Sequence, residues 1–236
     1  MSDVGDTISV GNARWSFGGS VPETFDSHVG RSVPQYQQGH EIVVALSDFF
    51  LRPGSTVYEL GCSTGELTRQ IAQANKDRDV SIIGLEIESA MVEAAREKNS
   101  DLPRVEIREA DIIDVELKPA DLIVSYYTIQ FVQPTVRQLL FDKIYNSLNW
   151  GGGFLLFEKV RASDARFQDM MSSLYVDFKL RQGFSEQEIV NKSRSLKGVL
   201  EPFSTQGNID LMRRAGFVDI MTVFKHLCFE GFLAIK

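Results

Sequence analysis

Between Val57 and Thr68 the chain reads Val-Tyr-Glu-Leu-Gly-Cys-Ser-Thr-Gly-Glu-Leu-Thr, and no other stretch constrains its fold as strongly. The first half is β-prone and apolar, with one carboxylate, Glu59, near its end; this is the pattern of a buried strand. The second half opens a helix that runs to Ala74, with Thr64 as the candidate cap. Gly61 and Gly65 permit positive φ and let a ligand approach the backbone closely. A strand, a glycine turn and a helix N-terminus, in that order, build a cofactor pocket at the carboxyl edge of an open α/β sheet.

Charge decides what that pocket can hold. Counted from Gly61 the turn is G-x-S-x-G, and Glu66 stands where a dinucleotide fingerprint has its third glycine. A carboxylate there repels a pyrophosphate, and the Gly-Lys-Ser/Thr of a Walker loop is absent. What remains, acid-x-Gly-x-Ser-x-Gly, resembles the first motif of the class I S-adenosylmethionine (SAM)-dependent methyltransferases. SAM has no phosphate but carries an ammonium and a sulfonium. Glu59 suits those cations, and the backbone of Gly61, Cys62, Ser63 and Gly65 can meet the methionine part.

The rest of the chain alternates strand and helix. Strands are predicted at 56–60, 80–86, 105–109, 120–126 and 154–158, with helices at 66–74, 89–98 and 134–148. This rhythm implies a parallel sheet with right-handed crossovers. Two helices, 21–30 and 37–51, precede it; with the polar terminus and the anchor Trp15-Ser16-Phe17 they form a helical cap over residues 1–52. After Lys159 the rhythm changes. A long helix at 161–181 and a second one opened by the capping box Ser185-Glu186-Gln187-Glu188 make a helical insertion, 161–205, readable as a lid or a dimer surface. A helix at 208–214 and two closing strands, 218–225 and 227–235, end the chain. The expected fold is one α/β domain over 1–236: a doubly wound, Rossmann-like, seven-stranded, mostly parallel sheet with an antiparallel C-terminal edge.

Three further positions extend the pocket. Glu86 ends the second strand about twenty residues past the turn, the place of an acid that accepts from ribose hydroxyls. Asp111, followed by Ile112, comes just after the third strand and suits an adenine amino group and ring. Tyr126 and Tyr127 end the fourth strand, where acceptors bind. Each acid also reads as an ordinary strand-end surface residue. The 236 residues carry a net charge of −7, which argues against a wide grip on nucleic-acid phosphates. Cys62 and Cys228 have neither metal-ligand spacing nor a disulfide framework. No leader and no apolar run of membrane-spanning length is visible, so the expectation is a cytoplasmic protein with no metal and no membrane partner.

Most of the chain, about 15–236, resembles the carboxy-SAM synthase family within the class I methyltransferase fold. Trp15-Ser16-Phe17, Arg31-Ser32-Val33-Pro34-Gln35-Tyr36, Leu60-Gly61-Cys62-Ser63, Thr128-Ile129-Gln130-Phe131, Asp142-Lys143-Ile144-Tyr145, Glu158-Lys159 and Gly183-Phe184-Ser185-Glu186-Gln187-Glu188-Ile189 carry the likeness. It implies a homodimer whose SAM site is lined by Tyr36, Gly61, Glu86, Asp111, Ile112 and Tyr126. It also implies that carboxy-SAM is made from SAM and prephenate for tRNA wobble-uridine modification. Three departures stand out. The family's carboxylate-binding arginine is Ser193 here, with Arg194 one step on; the Asp-Asn after the second strand is Glu86-Ile87; the cleft asparagine is Tyr126. On these departures the first reading is methyl transfer from SAM to a small-molecule acceptor, with His28, His40, Tyr126 or Glu158 as general base and Phe17, Tyr36, Tyr127 and Phe178 as aromatic walls. Carboxy-SAM synthesis, with Arg194 on the carboxylate, is the second reading, and a non-catalytic SAM-binding protein the third.

Overall fold

The computed structural model describes residues 2–4, 9–10, 13 and 21–236; Trp15, Ser16 and Phe17 lie outside them. Two short strands, β1 (Ser2–Asp3) and β2 (Ser9–Val10), pair with each other. Helices α1 (Val21–Ser32) and α2 (Tyr36–Ser47) follow. The sheet is then laid down as β3 (Thr56–Leu60), β4 (Ser81–Glu86), β5 (Val105–Glu109), β6 (Ala120–Tyr126) and β7 (Leu148–Lys159). Between these strands come α3 (Glu66–Ala74), α4 (Ser89–Lys98) and α5 (Pro134–Ser147). Helices α6 (Ala165–Arg181), α7 (Glu186–Ser195) and α8 (Thr205–Ala215) precede the closing hairpin of β8 (Asp219–His226) and β9 (Phe229–Ile235).

The strand order is β5-β4-β3-β6-β7-β9-β8, and only β9 runs against the rest. From β3 the chain winds outward to β4 and β5, then returns to β6 and winds the other way. The crevice at the carboxyl ends of β3 and β6 is therefore the topological switch point. Both strands are buried through their middles, as apolar runs flanked by helices on two faces must be. The largest core cluster packs Leu140, Phe141 and Ile144 of α5 and Leu211 and Met212 of α8 against the sheet; a second buries Val43 of α2 with Leu67 and Ile71 of α3.

Several boundaries differ from the sequence expectation. The fifth strand begins at Leu148 rather than 154, because its glycine-rich start is paired across to the C-terminus: Gly151 N–H donates to Lys236 O and Lys236 N–H to Gly152 O. The long helix begins at Ala165, not 161. Asp164 caps it by accepting the Arg166 N–H, and Arg161 is drawn instead into a bridge with Ser204. Thr64 does not cap α3. Gly65 occupies that position with φ +74, and the Thr64 hydroxyl donates to Asp26 on α1 at 2.6 Å. The capping box at Ser185 and Glu188 and the glycine stop at Gly216 are present as read.

Gly231 shows why β9 can sit between β7 and β8. A Cβ there would lie 2.6 Å from the Phe157 ring, which lies beneath it in the core. Gly231→Ala is expected to cost about 2–3 kcal/mol by overpacking and to lower Tm by roughly 5–10 °C. A thermal melt within 2 °C of wild type would refute this.

Candidate cofactor and substrate cleft

A cavity of about 1060 Å³ opens at the carboxyl ends of β3, β4 and β6. Its floor is the glycine turn, where Gly61, Ser63 and Gly65 all have positive φ. Gly61 and Cys62 both donate to Leu85 O, at 2.8 and 2.9 Å, so the turn is fastened to the end of β4. Glu86 completes the fastening. One carboxylate oxygen accepts from Ser63 N–H at 2.9 Å, and the other accepts from Ile87 and Glu88 N–H at 2.8 and 3.0 Å. The strand-end acid therefore shapes the turn as well as facing the cavity. Asp111 accepts from Ile113 N–H at 2.8 Å, and the buried Ile112 beside it lines the same space.

Glu59 is the most informative group. It is buried, it lines the cavity, and its carboxylate accepts from the Thr68 hydroxyl. Among the described residues no lysine, arginine or histidine pairs with it. Burial, with Glu86 adding to it, pushes its carboxyl up to about 8. A buried acid without a counter-cation at a ligand cavity is a receptor for a positively charged group.

Aromatic side chains close one side. Tyr36 lies within 4.7 Å of His40 and 5.1 Å of Tyr126, ring centre to ring centre, and Tyr126 packs on Tyr127 at 4.7 Å. The Tyr126 hydroxyl donates to Tyr36 O at 2.6 Å and stands where any side chain on residue 39 would be: a Cβ at Gly39 would fall 2.1 Å from it. Burial holds the Tyr126 hydroxyl far above its ordinary pKa. Tyr126 is thus a brace between β6 and α2, not a poised base. Tyr126→Phe is expected to keep turnover within about threefold and to lower Tm by a few degrees, for the loss of one hydrogen bond of about 1 kcal/mol. Loss of turnover above tenfold at unchanged SAM affinity would restore it as a base.

The remaining positions separate cleanly. His28 and His40 line the cavity. Burial lowers His40 to about 4, so it is neutral. His28 shares a 3.3 Å hydrogen bond with the Ser32 hydroxyl. Tyr36, Cys62, Ser63, Ile87, Tyr127 and Ser193 also line the cavity. Glu158, Gly65, Phe178 and Arg194 do not: Glu158 is buried behind the sheet end beside Arg137, and Arg194 is exposed on α7 one step round from Ser193. Phe17 lies outside the described residues. Thr128, in the stretch after the fourth strand expected to point into the cleft, lines the cavity, and its hydroxyl donates to Gly61 O at 3.3 Å; the sequence reading missed a wall formed by Lys159, Tyr175 and Lys179. Tyr175 and Lys179 sit four apart on α6, which was the available signal.

Glu59, with no counter-cation among the described residues, the positive-φ turn, and the acids Glu86 and Asp111 fit SAM and do not fit a phosphate-bearing cofactor. Together with the sheet order they define a class I SAM-dependent methyltransferase fold. A family model described as a methyltransferase domain matches residues 57–152. Among solved structures, a putative SAM-dependent methyltransferase from Methanococcus maripaludis superposes with a TM-score of 0.61 at 18% identity, covering 97% of each chain. The human N-acetylserotonin methyltransferase in complex with SAM gives 0.60 at 19% identity; the match covers 84% of this chain and 51% of the human one. Curated relatives extend beyond the common core. A carboxy-S-adenosyl-L-methionine synthase of Campylobacter lari is 35% identical over 224 residues, 94% of this chain and 95% of that protein. One from Staphylococcus epidermidis is 34% identical over 94% and 97%. The chain belongs to the carboxy-S-adenosyl-L-methionine synthase family, and its cofactor is S-adenosyl-L-methionine.

Proposed function

We propose that the enzyme joins a carboxyl group taken from prephenate to the methyl carbon of SAM. The observation that carries this reading is the reach of the relationship: it spans 94% of the chain, and so takes in most of the α6–α7 insertion that builds one wall of the cleft, not only the shared methyltransferase core. When bound, SAM supplies a methyl carbon acidified by the adjacent sulfonium, to which the carboxyl group is joined. Prephenate loses that carboxyl group and a hydroxide as its ring becomes aromatic, and the proton leaving the methyl carbon combines with the hydroxide as water. For this chemistry the protein's tasks are positional. Glu59 holds the cofactor's positive charge, Glu86 and the Gly61–Gly65 turn set its orientation, and the buried Tyr36–His40–Tyr126 cluster keeps water from the reacting carbon. The shortage of a poised base agrees with a reaction whose proton acceptor is released by the second substrate.

Ser193, in place of an arginine facing the cavity, favours the other reading, methyl transfer to a small acceptor. Mass spectrometry after incubation with SAM and prephenate separates the two. A SAM derivative heavier by one CO2 supports carboxyl transfer, whereas unchanged SAM with no carboxylated product, together with methylation of a supplied acceptor, supports the alternative. The same reading carries a cytoplasmic homodimer. Phe167, Met170 and Leu174 of α6 are exposed at helical spacing, and sedimentation at micromolar concentration tests whether a second copy covers them.

A further inference from the structure

The cavity is divided by charge. Glu59, Glu86 and Asp111 come from the ends of β3, β4 and β5, on the cofactor side, where Asp26, Glu66 and Glu88 also line it. Lys159 at the end of β7, Lys179 on α6 and Lys192 on α7 come from the other side of the switch point, where Arg161, Lys197 and one acid, Glu201, also line the cavity. Lys159 and Lys179 approach the same ring. The Lys159 ammonium is 4.4 Å from the centre of Tyr175, and that of Lys179 is 4.6 Å from it. The ring cannot swing away, because the Tyr175 hydroxyl donates to Ser32 O at 2.8 Å and the ring edge packs on Phe229 at 5.3 Å. The Lys159 backbone is equally fixed, its N–H donating to Gln130 Oε1 at 2.9 Å.

Two ammonium groups at one aromatic ring repel each other. A cation–π contact contributes up to about 2 kcal/mol when desolvated, which does not offset burying a charge with no counter-charge. Among the described residues neither Lys159 nor Lys179 has a carboxylate partner. The group facing them is Cys228, whose thiol is pushed up by burial and so stays neutral. Burial, with Lys159 beside it, lowers Lys179 to about 8, and burial with Lys179 beside it lowers Lys192 to about 6. Such an arrangement is unfavourable by itself and becomes favourable when an anion sits among the ammonium groups.

We infer that Lys159 and Lys179, held over the Tyr175 ring, form the subsite that binds a carboxylate of the second substrate, a small organic acid. The inference rests on the carboxyl-transfer reading for the identity of that acid, but the subsite is testable without it. In Lys179→Met and Lys159→Met the KM for prephenate is expected to rise at least tenfold, with the KM for SAM within twofold. Lys179→Arg is expected to recover most of the loss, which a merely structural lysine would not require. Removing one of two repelling charges leaves the fold intact, with Tm at or above that of wild type. Turnover with an unchanged prephenate KM would overturn the subsite and leave the function standing. If wild type makes no carboxylated SAM, the functional reading falls, and the subsite is decided by calorimetric titration of the SAM-saturated protein with malonate. Binding to wild type that is lost in the Lys159→Met/Lys179→Met double variant upholds the subsite. No binding to wild type, or equal binding to both proteins, overturns it.

Discussion

Glu59→Gln is expected to make the ligand-free protein more stable while destroying its affinity for SAM. The carboxyl of Glu59 is buried and held at about 8, above the usual carboxylate range, chiefly by desolvation. Unfolding returns it to water and to an ordinary value. The sign follows from proton linkage. A carboxyl whose folded pKa is raised binds its proton more tightly in the native state, so its contribution to stability is present below about pH 4.5 and is lost as pH rises to about 8. At pH 7 the cost is on the order of 3 kcal/mol. A glutamine keeps the acceptor for the Thr68 hydroxyl and never ionises. Its buried amide takes back part of the gain, leaving about 2 kcal/mol and a Tm raised by roughly 5 °C at pH 7–8. The difference vanishes near pH 5, where the remaining gain equals the amide's cost of about 1 kcal/mol. With SAM the order reverses. The counter-charge for the cofactor is gone, and affinity falls roughly 30- to 100-fold, the worth of a charge-assisted contact in a buried site. Melting curves at pH 5, 7 and 8.5, with and without SAM, read both halves. A variant less stable than wild type at pH 8 would sink the electrostatic account of Glu59, and retained SAM affinity would sink its role in the cleft.

Gly61→Ala should be the most damaging single methyl group in the chain. Gly61 has φ +73, where an L side chain is strained, and a Cβ there would lie 2.3 Å from Thr128 Cγ2 and 2.5 Å from its Oγ1. Strain of about 1 kcal/mol adds to overpacking of about 1–3 kcal/mol, and the displaced turn loses the cofactor as well. Thr128→Ala removes the two nearest atoms but leaves its own Cβ 2.9 Å away. The double variant is therefore expected to be more stable than the sum of the two single changes predicts, by about 1 kcal/mol or more. It should still fall short of wild type, because the backbone strain remains. Strict additivity in chemical denaturation would show that the contact with Thr128 is not what excludes a side chain here.

How much of the cleft could be read from the chain depended on whether a residue's role was local. The acid-x-Gly-x-Ser-x-Gly turn, Glu86 at its strand end and Asp111 after the third strand are short-range patterns, and all of them reach the same cavity. Glu86 reads as a ribose acceptor; that it also holds the Ser63 N–H depends on the turn and the strand end being neighbours in space. The candidate base Tyr126 shows the reverse case. Its hydroxyl is engaged by Tyr36 O, 90 positions away in sequence, through a gap opened by Gly39. Arg194 illustrates a third. Ser193 and Arg194, adjacent on α7, are both exposed, but only Ser193 reaches the cavity, and only the packing of the helix decides which does.

By itself, the sequence determined the class of fold, the succession of strands and helices from α1 onward, though not the short β1–β2 pair at the start, and the nature of the cofactor. Hydrophobic period, glycine position and the sign of charge at a turn act over a few residues and need no partner to be read. The tertiary structure decided what faces the cofactor. Lys159, Tyr175 and Lys179 come from two elements that share no sequence pattern. The three meet only because the end of β7 comes up to Tyr175 of α6 at the cavity, and the unbalanced charge that follows is a property of that meeting.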